Sequence, residues 1–340
     1  MDSKLIAKLA GVSRSTVSKV LNNYSDISEG TRKKVLRVIE DNEYYPNFSA
    51  QKLAGKNSPV IGLLVYTGKS SKNGDLPKKI SESFYYSDLI SEIIDTAENL
   101  GYLVLVSYIS SKRANWKKVF ETGMIDAAIV ISGGKKINEI EDLVKSKYKL
   151  VLIDYEEEIA TKYILTINSN HFKGGYLATK YLIEKGCKNI LHLSGEIKRR
   201  TSIQRARGYL KALEDFNLAN KEIIFGKYDE EVAYELIEKN IQKKGKFIYD
   251  AVFAGNDYIA YGVIKALEKT GLKIPEQVSI IGYDNMKICD YTSPKITSIN
   301  HLGNNIAEKA LKNLIDILNN KEGGIKETDV EIVKRESVKK

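Results

Sequence analysis

The sequence predicts an α/β protein with a small all-helical head, a short helical linker, and a core of doubly wound parallel sheets in two lobes. Three observations predict it. The first stretch of about 45 residues carries only the 3.6-residue apolar period of helices. From Pro59 onward, short apolar runs alternate with amphipathic stretches rich in Leu, Ile, Ala, Glu and Lys. That strand–helix–strand rhythm gives parallel sheets covered on both faces. The chain has 340 residues, enough for two or three domains with sizeable cores.

The head opens with LIAKLAGVSRSTVSKVL at residues 5–21. Ile6, Ala7, Leu9 and Ala10 give a first helix its apolar face. Gly11 falls where a helix-turn-helix corner needs φ > 0, and Val12 can plug that corner. Ser13 is a good N-cap for a second helix, which buries Val17, Val20 and Leu21. The other face of that helix carries Arg14, Ser15, Thr16, Ser18, Lys19 and Asn22. These are six donors with no acid among them, a composition that suits an anionic partner. After the turn and cap at Asp26, Ile27 and Ser28, a third helix is expected from about Glu29 to Asp41, burying Val35, Leu36 and Ile39. Pro46 disfavours helix at Tyr45 and ends the head.

Residues 47–58, NFSAQKLAGKNS, are expected to form at most one or two helical turns. Without a broad apolar face they should order only against a partner. Strands are then expected at 59–66, 102–109, 125–132, 149–153, 163–167, 189–194, 250–255 and 277–283. The lobes should divide near 159–166, with segments after Ser293 crossing back. The expected domains are a head at 1–46, a hinge at 47–58 and a core at 59–336. Within the core, one lobe takes about 59–162 and 294–322, the other about 163–293 and 323–336. The polar stretch at 67–83 reads as a surface loop, or alternatively as a lid.

Composition narrows the function. Lys plus Arg number 53 and Asp plus Glu 44, a net charge of +9. Residues 1–58 hold ten of the basic and six of the acidic residues, so a small part of the chain carries +4. Cys187 and Cys289 have no partner at metal spacing and fit a reducing cytoplasm. No run of membrane-spanning length occurs. His171, His192 and His301 are scattered in sequence, and each is expected to be an isolated core or surface residue. There is no GxxxxGK[ST] loop, no GxGxxG after a strand, no nucleophile–base pairing and no metal set. Enzyme, cofactor and metal readings are therefore disfavoured.

Four strings, LAGVSRSTVSKVLN, ISEGTRKKVLRVIE, YYPNFSAQKLAGK and AGNDYIAYGVIKALEKTGLKIPEQVSIIGYDN, occur in this order. With them the chain resembles the LacI/GalR family of bacterial transcriptional repressors along nearly its whole length. The resemblance implies a helix-turn-helix head, a hinge helix and a core like a periplasmic sugar-binding protein. It also implies a homodimer, with a tetramer left open, on double-stranded operator DNA in the cytoplasm, controlled by a small effector. Arg14, Ser15 and Lys19 then take the base-reading positions, with Arg14 suited to guanine O6/N7. Ser13, Thr16, Ser18, Asn22, Ser28, Thr31 and Arg32 fall among the phosphate-positioning residues. Thr16 and Ser18 could equally only cap or solvate their helix. In the hinge, Leu53 is placed to wedge a base step in the minor groove, Ala50 to allow close approach, and Asn47 and Lys56 to secure the ends.

Two positions depart from the family pattern. Glu43 stands where Gly or Asn usually ends the third helix, at a cost of about 1 kcal/mol if φ must be positive. Leu5 replaces an early acidic residue, so a cap is expected to be missing. In the core, ligands of open α/β sheets sit at the carboxyl ends of strands. Asp154, Asn256 and Asp284 fall there, and Arg205 stands at the position of the family's ligand-binding arginine. Such a set suits a sugar. Tyr85, Tyr86 and Tyr228 could stack on its ring or simply pack. Asp257 could cap the following helix or touch ligand. A purine, another non-sugar effector or a protein co-repressor stays open as the alternative, as does a cytosolic sugar-binding protein.

Overall fold

A computed structural model describes residues 2–21, 24–44, 58–66, 84–109, 116–132, 138–159, 161–301 and 305–340. The side chains at 84, 85, 109, 138 and 139 are outside this description. Asn22, the hinge residues Asn47, Ala50, Leu53 and Lys56, the 67–83 loop and the Tyr85 side chain thus lie outside the described residues. The chain divides into two units, Met1–Ser58 and Pro59–Lys340.

In the first unit, α1 (Ser3–Leu9) starts at Asp2, whose Oδ1 accepts from the amides of Lys4 at 3.0 Å and Leu5 at 2.9 Å. The expected loss of a cap through Leu5 is thus made good three residues earlier. Gly11 turns the chain with φ +59. The Ser13 hydroxyl accepts from the Thr16 amide at 3.0 Å and starts α2 (Arg14–Leu21). Ser28 caps α3 (Glu29–Asp41) in the same way. Ile6, Ala7, Ala10, Val17, Val20, Val35 and Tyr44 form the core. Leu9 and Leu36, expected inside, are 50% and 46% exposed. Each lies about 100° round its helix from the buried stripe, so the buried face is one position narrower than the apolar period. Glu43 does take positive φ, 44°.

Among the described residues the second unit holds two six-stranded sheets. The first has β1 (Val60–Tyr66), β2 (Leu103–Ile109), β3 (Ala127–Ile131), β4 (Lys149–Ile153), β5 (Ile164–Ser169) and β11 (Gly324–Thr328), in the order β11-β5-β4-β3-β1-β2. The second has β6 (Ile190–Ser194), β7 (Ile223–Phe225), β8 (Ala251–Ala254), β9 (Ser279–Tyr283), β10 (Thr297–Asn300) and β12 (Glu331–Val333), in the order β12-β10-β9-β8-β6-β7. All ladders are parallel except β10–β12.

Helices cover both faces, as buried parallel strands require. On the first sheet, α4 (Phe84–Asn99) and α11 (Ile306–Leu318) pack on one face, α5 (Trp116–Glu121) and α6 (Asn138–Lys145) on the other. On the second, α9 (Glu230–Lys244) and α10 (Asp257–Glu268) oppose α7 (His171–Glu184) and α8 (Arg200–Asp215). The crossing of α7 and α8 depends on glycine. A Cβ on Gly175 would stand 2.1 Å from the Arg205 carbonyl oxygen, and one on Gly208 2.1 Å from that of Phe172.

The lobe limits need correction. β5 and β11 belong to the first sheet, whereas the sequence pattern puts 163–293 and 323–336 in the second lobe. β10 belongs to the second sheet, whereas the pattern puts 294–322 in the first lobe. Sheet membership is set by which strand offers a free edge, and short apolar runs carry no mark of that choice. The chain therefore crosses between lobes after Ser169, after Asn300 and after Thr328. The core also runs past residue 336: Ser337 and Val338 are buried, and the Ile280 amide donates to the Ser337 carbonyl at 2.7 Å.

Candidate nucleic-acid interface and effector cleft

The start of α2 gathers the donors expected to meet DNA, and each already has a local partner. Arg14 Nε donates to Ser3 Oγ at 2.8 Å. The Ser13 hydroxyl is 2.6 Å from Ser15 Oγ and 2.8 Å from Thr16 Oγ1. Lys19 forms a half-exposed ion pair with Asp26. At the start of α3, Ser28 and Thr31 share a hydrogen bond of 2.9 Å, and Arg32 reaches the Tyr24 carbonyl. Arg14, Ser15 and Ser18 are exposed, and Lys19 is half-exposed. Exposed bonds of this kind contribute little net energy and can be exchanged for phosphate or base contacts.

In the second unit, strand ends from both sheets converge. Asp154 follows β4 with φ 44, and Asp284 follows β9 with φ 101. A non-glycine residue held in that left-handed region marks a turn over-determined by its surroundings. Asp154 accepts from the Ser169 amide at 2.7 Å and the Ser169 hydroxyl at 3.1 Å. Arg205, buried on α8, donates to the Gly255 carbonyl at 2.5 Å and to Asp284 at 3.3 Å. Its guanidinium lies 3.7 Å from the Tyr283 ring centroid and 5.8 Å from that of Tyr228. Burial opposes its charge, but Tyr228 and Asp284 outweigh burial and hold it charged.

His301 joins the two carboxylates. Its Nε2 is 3.2 Å from Asp284 Oδ1 and its Nδ1 is 3.4 Å from Asp154 Oδ2. Burial pushes this imidazole down, yet Asp154 and Asp284 win and hold its pKa above the ordinary value. His171 completes the group, with Nδ1 3.1 Å from the Tyr283 hydroxyl and Nε2 3.5 Å from Asp154 Oδ1. Burial drives its pKa to about 4, so it is neutral at pH 7. Burial would raise the Asp154 carboxyl, but the two histidines hold it well below the usual carboxylate range.

The remaining expected residues divide. Arg199 stands 4.9 Å over the Tyr228 ring, and the Tyr228 hydroxyl shares a 2.7 Å hydrogen bond with Ser202. Burial raises the Tyr86 hydroxyl, with Arg199 drawing it down and Asp284 pushing it up. Asn256 is the cap of α10, accepting from the Ile259 amide at 2.9 Å, so its carbonyl oxygen serves the fold. Asp257 is not the cap of that helix. It is fully buried and accepts from the Met286 amide at 2.7 Å and Ser298 Oγ at 2.6 Å, bracing the Asp284 turn. Burial, with Asp284 adding to it, lifts its pKa to about 7.

A cavity of about 200 Å³ adjoins this cluster, lined in part by Asp154, Ser169, His171, Arg200, Thr201 and Gln204. Of the expected effector residues, Asp154 lines it; Arg205, Asp284, Asn256, Tyr86 and Tyr228 do not. Sequence reasoning missed His171, His301, Arg199 and Tyr283. The strand-end rule that selected Asp154 and Asp284 would have selected both histidines, which follow β5 and β10 by one or two residues.

The profile for bacterial regulatory proteins of the lacI family matches residues 4–47, and that for a periplasmic binding protein-like domain matches 179–338. The chain is 31% identical to the HTH-type transcriptional repressor PurR of Histophilus somni, over 99% of this chain and 98% of that protein. It is 30% identical to the PurR repressor of Vibrio campbellii over the same shares. Among solved structures, the lac repressor dimer bound to operator and the anti-inducer ONPF aligns with TM-score 0.77 at 22% identity, covering 98% of both chains. A CelR–cellobiose complex aligns with TM-score 0.69 at 22% identity, covering 99% of both. Both of these solved structures hold a small molecule, the anti-inducer ONPF in one and cellobiose in the other. Among the described residues no helix is long and apolar enough to cross a membrane. With its helix-turn-helix head and two-sheet core, the chain belongs to the LacI family and is a DNA-binding transcriptional repressor.

Proposed function

We propose that this repressor binds a pseudo-palindromic operator as a homodimer and that a small polar effector, seated between the lobes, sets its operator affinity. Arg14, Ser15 and Lys19 read bases, while Ser13, Thr16, Ser18, Asn22, Ser28, Thr31 and Arg32 position the backbone. The hinge orders on DNA, with Leu53 as the minor-groove wedge, Ala50 against the groove, and Asn47 and Lys56 at the ends. The observation that carries the effector half is the chain Arg205–Asp284–His301–Asp154, which links strand ends of both sheets through buried charge. A ligand entering there changes the relation of the lobes. It biases the hinge by its differential affinity for the two states.

Carboxylates with an arginine and the Tyr228 face suit a neutral polyhydroxylated ring, so a sugar is the first reading. Similarity to PurR repressors favours a second, a purine base, for which Arg199 over Tyr228 offers a stacking wall. A thermal-shift screen of monosaccharides, disaccharides and purine bases against the full chain tests both. A ligand at 100 times its Kd raises stability by about 2.7 kcal/mol. A hit that also shifts operator affinity supports the proposal, and no hit from either class counts against both readings.

A further inference from the structure

We infer that Asp154, His171 and His301 form a binding site for one divalent transition-metal ion at the junction of the lobes. The three side chains come from different segments: Asp154 from the end of β4, His171 from the start of α7, and His301 from the crossover after β10. They are 6%, 7% and 2% exposed. One ligand atom from each can be chosen so that all lie within 4.8 Å of one another.

Three features fit the set to an ion. The first is spacing. Imidazole nitrogen and carboxylate oxygen bind zinc-like ions at about 2.0–2.2 Å, so two donors on one ion stand roughly 3–3.5 Å apart. Asp154 Oδ1 to His171 Nε2 is 3.5 Å, and Asp154 Oδ2 to His301 Nδ1 is 3.4 Å. The second is an orphan atom. His171 Nε2 is buried and has no hydrogen-bond partner, although buried polar atoms almost always have one. In the tautomer that carries its proton on Nδ1, directed at the Tyr283 hydroxyl, this nitrogen offers a lone pair.

The third is the surrounding shell. Metal-binding histidines usually give their other N–H to a carboxylate or hydroxyl, which fixes the tautomer. His301 Nε2 faces Asp284, while its Nδ1, 2.9 Å from Ser169 Oγ, must give up the proton it directs there when an ion binds; His171 Nδ1 faces Tyr283, and Asp154 is oriented by the Ser169 amide and hydroxyl. The nearby guanidinium of Arg205 is balanced by Asp284, whose Oδ1 lies between it and His301. Two imidazoles and one carboxylate suit zinc, cobalt or nickel rather than calcium or magnesium. Asp154 and His171 also line the cavity, so water or a ligand oxygen can complete the coordination from that side.

The test is titration of the tag-free full chain with cobalt(II), read by visible ligand-field absorption and by metal analysis after gel filtration. One ion per chain is expected, displaced by zinc. His301→Gln and Asp154→Asn, each checked for native circular dichroism, should abolish the absorption band. Tyr283→Phe, which frees the His171 ring, should weaken binding about 10–100-fold. A wild-type chain that takes up no cobalt overturns the proposal without recourse to any variant. So does uptake that survives unchanged in both ligand variants.

Discussion

Arg14 and Arg205 show how burial decides what an arginine can do. Arg14 is exposed, with one local bond to Ser3. Its removal should leave unfolding free energy within about 0.5 kcal/mol of wild type. Operator affinity should fall by about 1–3 kcal/mol with relaxed preference at one base pair per half-site, as binding to a panel of point-substituted duplexes would register. Arg205 is buried, with Asp284 and the Gly255 carbonyl on its donors. Arg205→Ala leaves the Gly255 carbonyl without its donor and Asp284 with His301 alone, and should cost about 3–5 kcal/mol in urea unfolding.

Asp257 gives a pH prediction at the same scale. Its folded pKa, about 7, lies above the value of about 3.9 for an unfolded aspartate. The native state therefore holds the extra proton, and the stability this contributes is full below about pH 4 and lost as pH rises through 7. Asp257→Asn should remove that fall from the stability profile between pH 4 and 7. A variant profile parallel to wild type would refute the shifted carboxyl. Arg205 and Asp284 were legible as residues, because strand ends and the family's arginine mark them. Asp257's role was not, since its partners Met286 and Ser298 are 29 and 41 residues away.

Among the elements, helix ends were the most readable. Gly11, Ser13 and Ser28 act through neighbours within three residues, and such contacts are written locally. Glu43 follows the same logic in reverse: it sits at φ 44, where a side chain is strained. Glu43→Gly should stabilise the head by up to about 1 kcal/mol, observable as a higher melting temperature of the first unit's transition. Asp2→Ala should lower it by about 1 kcal/mol through loss of the α1 cap. Sheet membership was the least readable feature. β5, β10 and β11 are short, and which sheet each joins depends on an edge contributed by another segment, such as Thr297 opposite Ile281. The helix crossing at Gly175 and Gly208 is equally silent in sequence, because only the fold reveals the backbone 2.1 Å from each missing Cβ.

At the scale of the whole molecule, the alternation of strands and helices foretold two lobes, but not that the cleft would close around histidines. His171 and His301 meet Asp154 although 130 residues separate the two histidines. They do so because the three crossovers between the lobes run side by side, tied where Thr328 Oγ1 donates to the His301 carbonyl and the Asn170 amide to that of Thr328. Under the proposed function, this charged cluster on the crossovers is what an effector in the cleft would meet and what would pass its binding to the relation of the lobes.

The central claim is sequence-specific operator recognition by the head. It is tested most directly by fluorescence anisotropy of the full chain on a duplex from its own upstream region against a scrambled duplex, at fixed salt. The account predicts binding to the first at least about 1,000-fold tighter, with the preference reduced in Arg14→Ala. Equal affinity for both duplexes across the wild-type gene's upstream sequence would contradict it.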